Sequence, residues 1–213
     1  IGLPVAFSLS LVATIAILTV WGQIGLPVIA SASYASVTSF ILVAVPLFLL
    51  IGENLNNSGI TKNAFDMMYK WLGWLPGGLA ITTIATSAVF GAISGFAPAV
   101  CTIMGKAALP EMLKHGYSKR LSAGCILGGA ALDIVIPPSS LMVILGFLAG
   151  VSIGKLYFSG LVMGLMISFM FVAYIFIRAL LQPGWAPPVR QSPPMRERLA
   201  TLKYALPLMG VIF

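Results

Sequence analysis

Long uncharged apolar runs alternate along this chain with short segments that hold most of its prolines, glycines and charges. Residues 1–20 are apolar, carry no charge and end at Trp21. About 20 such residues cross a bilayer, and tryptophan favours the membrane–water interface, so the pattern predicts a first span. Residues 22–32, with Gly, Pro and Ser but no charge, read as a loop. A second span follows over 34–51, with Pro46 predicted to kink it and Glu53 closing it. Over 62–74 the period changes. Phe65, Met68, Tyr69 and Leu72 recur at i, i+3, i+4 and i+7, with Lys62, Asp66 and Lys70 elsewhere on the wheel. That predicts an amphipathic helix on the membrane surface.

The next stretch departs from simple alternation. Ile93-Ser-Gly-Phe-Ala-Pro98 and Ile136-Pro-Pro-Ser-Ser140 each put proline and hydroxyls inside apolar sequence. Lipid tolerates broken backbone only where it is buried in protein or lines a cavity. Two such breaks in consecutive segments point to an ion or substrate site near the membrane midplane.

Composition fixes the class. The 213 residues are 59% hydrophobic and only 8% charged, with a mean hydropathy of +1.04, against about 25% charge in ordinary soluble domains. This predicts an all-α polytopic membrane protein. The net charge of +7 would suggest nucleic acid in a soluble chain. Here the basic residues sit between apolar runs and report orientation instead. Cys101 and Cys125 lie in apolar context without a CxxC neighbour, which argues for packing rather than a disulfide or zinc. Starting at Ile1 and ending in an apolar run at Phe213, the sequence reads as part of a longer or split subunit. It shows no cleavable signal peptide pattern.

Charge counting sets the topology. Lys114, Lys119 and Arg120 follow one apolar stretch, and Arg178, Arg190, Arg196, Arg198 and Lys203 follow another. The positive-inside rule places both groups in the cytoplasm and 22–32 outside. Residues 76–110 must then start and finish on the cytoplasmic side. Two full spans need about 40 residues and a turn, whereas arms of about 15 residues reach only roughly 22 Å. The pattern predicts a re-entrant hairpin over 76–110 with its tip near 94–98. Residues 121–150 become one span broken at Pro137-Pro138, since neither proline continues a helix. Residues 156–178 return to the cytoplasm. A Pro-rich linker and arm occupy 179–204, and 205–213 begins another span.

Three kinds of group could act chemically. Carbonyls freed at a helix break suit a hard monovalent cation, and hydroxyls complete the set. Ser94 Oγ, the Gly95 carbonyl, Ser139 Oγ and the carbonyls of Ile136 and Pro137 fit. Asp133 is the one acid inside a predicted span, about one turn before the second break. Three roles stay open for it: binding a cation, carrying a proton, or bonding freed backbone. Gly91/Gly95, Gly124/Gly128 and Gly160/Gly164 are spaced for close helix packing. Gly150-Val-Ser-Ile-Gly154 matches GxSxG but links two membrane spans, and the one histidine, His115, falls across the membrane from it, so a hydrolase is excluded. No phosphate loop, zinc motif or dinucleotide fingerprint is present.

Six stretches then carry a resemblance. They are Val45-Pro-Leu-Phe-Leu-Leu-Ile-Gly-Glu53, Leu75-Pro-Gly-Gly-Leu-Ala80, Gly91-Ala-Ile-Ser-Gly95, Ala108-Leu-Pro-Glu-Met112, Ile136-Pro-Pro-Ser139 and Ile153-Gly-Lys-Leu156. In this order they resemble the N-terminal half of the large membrane subunit of tripartite ATP-independent periplasmic (TRAP) transporters. The resemblance implies an elevator-type secondary transporter of the bacterial inner membrane. Sodium would drive uptake of a small organic acid (dicarboxylate, sialic-acid or keto-acid type) delivered by a periplasmic binding protein. A small membrane subunit would accompany it, with no enzymatic cofactor and no nucleic acid. Residues 1–60 would then be scaffold, 61–75 an interfacial arm and 76–178 half of a transport domain. Sodium would lie at Ser94, Gly95, Ile136, Pro137 and Ser139, with Phe96, Ala97, Pro98, Asp133, Pro138 and Ser140 lining the site. Two other readings remain: an organic-anion transporter, sodium- or proton-coupled, working without a binding protein, and a membrane subunit with no transport role. The chain departs from the family where Phe96-Ala97-Pro98 replaces the usual hydroxyls, and at Asp133, where a small or apolar residue is usual.

Overall fold

The computed structural model describes residues 4–58, 60–182, 184–187 and 201, with the backbone alone at 55–57 and 60–62. Of the linker and arm expected over 179–204, only the few residues in those ranges are described. The span start at 205–213 lies outside them. The described residues are helical, without a strand. They divide into two compact units, Ile1–Val43 and Ala44–Phe213.

In the first unit, α1 (Val5–Trp21) leads through a 3-10 turn at Gly22–Gly25 into α2 (Leu26–Val37). No residue of either helix is buried, as suits apolar helices that meet lipid or other chains. The loop expected over 22–32 is therefore wrong for most of its length. Pro27 falls in the first turn of α2, where its missing N–H has no intrahelical partner to lose. The chain leaves α1 at Gly22, with φ 64° and ψ −152°. Gly25 then lies directly against the Ile17 side chain.

The second unit holds α3 (Ala44–Asn57), α4 (Ile60–Leu72), α5 (Gly78–Ser94), α6 (Ala97–Lys114), α7 (Lys119–Val135), α8 (Ser140–Ala149) and α9 (Ile153–Leu181). Pro46 was expected to kink a span. It lies in the first turn of α3, directly after a 3-10 turn at Phe40–Val43. α6 continues through Pro110 to Lys114, past the residue at which the hairpin was expected to end. Pro110 and Lys106, four residues before it, are both exposed, so the carbonyl that loses its donor is not buried.

The stripe on α4 faces protein: Ala64 and Phe65 are buried in the core, with Tyr69 and Leu72 packed against it. Trp71 and Trp74 stay exposed. Val5–Val37 and Ile153–Leu181 are long and apolar enough to cross a membrane, and α7 with α8 makes a third such stretch, bent by 43° at its break.

Cross-helix neighbours give the directions. Thr83 Oγ1 lies 3.6 Å from Met112 Sδ, so α6 runs back alongside α5. Gly129 packs on Ser87, Gly91 on Asp133 and Gly95 on Pro138. Those pairs advance together, so α5 and α7 are parallel. Gly128 packs on Phe171, and Gly164 on Ile136, so α9 is antiparallel to α7. The parallel pair brings both chain breaks to the same height.

Candidate functional site

The first break follows from glycine and proline chemistry. Gly95 ends α5 with φ 59°, a left-handed conformation that side chains disfavour. Its N–H still donates to the Gly91 carbonyl at 2.9 Å. Phe96 is extended, and Pro98 opens the first turn of α6. Ser94 is fully buried, and its Oγ accepts from the Phe96 N–H at 3.4 Å.

At the second break α7 stops at Ile136, and the Pro137–Pro138 peptide is cis. In a continuous helix the carbonyls of Asp133 and Ile134 would accept from residues 137 and 138. Both are prolines and have no N–H. Those two carbonyls are thus freed, one turn earlier than the Ile136 and Pro137 carbonyls singled out from the sequence. Ser139 is extended and α8 restarts at Ser140.

The breaks, 45 residues apart in sequence, bond directly. The Ser140 N–H donates to the Gly95 carbonyl at 3.0 Å, and Ser140 Oγ donates to the same oxygen at 2.7 Å. Two donors fill the two lone pairs of that carbonyl. Beside this joint lies a cavity of about 290 Å³, lined by Gly95, Phe96, Ala97, Pro98, Asp133, Ile134, Ser139, Ser140, Leu141 and Ile144, with Val45 and Leu49 from α3. Seven of the eleven residues singled out from the sequence line it. Ser94, Ile136, Pro137 and Pro138 do not, although Pro138 presents its carbonyl to Gly95.

Asp133 is 1% exposed, and its Oδ1 has no hydrogen-bond partner. A Cβ on Gly91 would come within 2.9 Å of that oxygen, so a glycine there makes room for the carboxyl. One turn down, Gly129 lies directly against Ser87. Thr82, Thr83, Thr86 and Ser87 are all buried. Thr83 donates to the Leu79 carbonyl at 2.8 Å, while the hydroxyls of Thr82, Thr86 and Ser87 lack partners. A polar seam therefore runs along α5 and ends beside Asp133. Its hydroxyls at 82, 83, 86 and 87 stand at i, i+1, i+4 and i+5 in an apolar run, a pattern not among those singled out from the sequence. Among the described residues no cluster of His, Cys, Asp and Glu could hold a transition metal.

Several known proteins are similar to this chain in sequence. The chain is 34% identical over 89% of its length to the isethionate TRAP transporter permease protein DctMQ of Oleidesulfovibrio alaskensis, of which it covers 30%. It is 33% identical over 84% of its length to the C4-dicarboxylate TRAP transporter large permease protein DctM of Vibrio cholerae, covering 40%. It is 31% identical over 99% of its length to the ectoine TRAP transporter large permease protein TeaC of Halomonas elongata, covering 49%. The chain thus spans half or less of the length of these relatives. They are permeases rather than enzymes, and with the apolar helices they place the chain in the inner membrane. The family model for the DctM component of tripartite ATP-independent periplasmic transporters matches residues 1–213, and the chain belongs to that family.

Proposed function

We propose that this chain is half of a sodium-coupled, elevator-type carrier that takes up a small organic acid handed over by a periplasmic binding protein. The observation that carries this reading is the joint at Gly95 and Ser140 beside a cavity lined by both chain breaks. α5 and α6 form the re-entrant hairpin. At about 1.5 Å per residue the 17 residues of α5 reach roughly 25 Å, short of the roughly 30 Å hydrocarbon core. α6 gains charge from Lys106 onward, so its apolar part is shorter still. α7 and α8 are the two halves of a broken span. In this scheme a small membrane subunit partners the chain, residues 1–60 act as scaffold, 61–75 as the interfacial arm and 76–178 as the moving half-domain.

Sodium suits the donors at hand. Ser94 Oγ, Ser139 Oγ and the freed carbonyls at the second break are hard oxygen ligands. The Gly95 carbonyl holds the two breaks in register. Asp133 supplies negative charge that the replaced hydroxyls at 96–98 do not. The named substrates of the relatives, isethionate, C4-dicarboxylates and ectoine, are all small polar solutes, which supports a small organic acid here. The test is uptake by the complete transporter, with both membrane subunits and the binding protein, in proteoliposomes. Uptake is expected to require an inward sodium gradient, and Ser139→Ala to raise half-saturating sodium several-fold. Equal uptake with choline in place of sodium would remove the coupling ion from the scheme.

A further inference from the structure

A second cavity, of about 310 Å³, lies away from the breaks, between the N-terminal half of α7 and the C-terminal half of α9. Its walls are apolar: Ile84 from α5, Phe171 and Ile175 from α9, and Trp185 beyond the end of α9. Gly124 and Gly128 form its floor. The Gly124/Gly128 pair, read from its spacing as a helix-packing site, is not one at Gly124, where an added Cβ would meet nothing within 4 Å. Apolar side chains beside the trough are exposed, as suits surface that meets lipid. Leu127 on α7 is 61% exposed, and Tyr174 and Ile177 on α9 are each 56% exposed.

One end of the trough is basic. Arg120 lines it and is exposed. Arg178 lies over the Trp185 ring, 5.4 Å from its centroid, and its Nε is buried without a hydrogen-bond partner. Trp185 also meets Tyr174 edge-on at 6.4 Å. No salt bridge among the described residues involves either arginine. The chain's net charge of +7 favours an anionic occupant at this end. An apolar trough whose basic end carries arginines paired with no carboxylate among the described residues fits one occupant by shape and charge.

We infer that the groove between α7 and α9 is a binding site for an anionic phospholipid, one acyl chain lying over Gly124 and the phosphate held by Arg120 and Arg178. The lipid is distinct from the transported solute, because this groove shares no residue with the cavity at the breaks. Trp185, packed against Arg178, reports the occupancy.

The experiment uses the complete transporter in detergent, titrated with phosphatidylglycerol or phosphatidylcholine brominated on the acyl chains. The quenching assigned to Trp185 is the difference between the wild type and Trp185→Phe. It is expected to saturate at lower concentration with phosphatidylglycerol than with phosphatidylcholine. Arg120→Gln should weaken phosphatidylglycerol binding about fivefold, as expected for one basic residue at a membrane surface. Gly124→Leu, whose side chain enters open space on a regular helix, should abolish Trp185 quenching while leaving thermal stability and sodium-driven uptake in place. Equal quenching by both lipids would overturn the inference, as would quenching that survives Gly124→Leu. So would the absence of Trp185-dependent quenching, the result expected if protein beyond this chain fills the groove. If Gly124→Leu fails to fold, native mass spectrometry of retained phosphatidylglycerol in wild type and Arg120→Gln decides: equal retention overturns it.

Discussion

Replacing Gly95 by alanine tests the joint between the two breaks directly. At φ 59° an L-residue is disfavoured by about 1–2 kcal/mol. The new Cβ would also lie 2.8 Å from the Pro138 carbonyl oxygen and 3.3 Å from Phe48 Cδ1. Backbone on one side and a packed ring on the other leave it little room. Moving Pro138 disturbs Ser140, whose two bonds to the Gly95 carbonyl are each worth about 1 kcal/mol net. The sum is a loss of about 2–4 kcal/mol. Gly124→Ala is the control: it meets nothing within 4 Å, lies inside α7 and gains about 0.5–1 kcal/mol from helix preference. Thermal unfolding of the complete transporter should therefore show Gly95→Ala melting several degrees below wild type and Gly124→Ala at or above it. Ser140→Ala alone should cost about 1 kcal/mol and add little on top of Gly95→Ala, because contacting residues are not additive. Equal melting temperatures for the two glycine variants would refute the joint.

Two further outcomes follow from single buried groups. Asp133→Asn keeps the shape of a side chain that is 1% exposed but removes its charge; uptake measured at several sodium concentrations should need about threefold more sodium or worse for half-saturation, and an unchanged sodium dependence would take Asp133 out of the ion site. Tyr117, on the turn between α6 and α7, is 3% exposed, and burial pushes its phenol up to about 12 from an ordinary value near 10. The fold therefore favours the neutral phenol, so its stabilising effect is complete below pH 10 and is lost as pH rises from 10 to 12. Tyr117→Phe should remove alkaline sensitivity on the order of 2 kcal/mol across that window, visible as a flatter plot of melting temperature against pH; parallel plots for wild type and variant would contradict it.

The sequence made some features legible because a single residue dictates them. Proline cannot continue a helix and glycine relieves a left-handed turn, so the breaks at 94–98 and 136–140 could be placed without a structure. Proline's effect also depends on its position in the element, which periodicity does not reveal. Pro27 and Pro46 fall in first turns and Pro110 on an exposed face, so each is accommodated within a helix. Features that need two distant residues were not legible. Gly95 and Ser140 meet only because α5 and α7 run parallel and close, and that close approach needs the room that Gly91 and Gly129 leave for Asp133 and Ser87.

The same close packing links the polar seam to the break. Larger residues at 91 and 129 would push α7 away from α5 and open the joint at Gly95 and Ser140. The small residues that read as generic packing sites therefore set the height at which the two interrupted helices meet. Gly124 shows the converse. It has the same spacing from Gly128 as Gly91 has from Gly95, yet nothing lies within 4 Å of a Cβ placed there. Spacing marks where a close approach is permitted, and the neighbouring surface decides whether protein or lipid makes it.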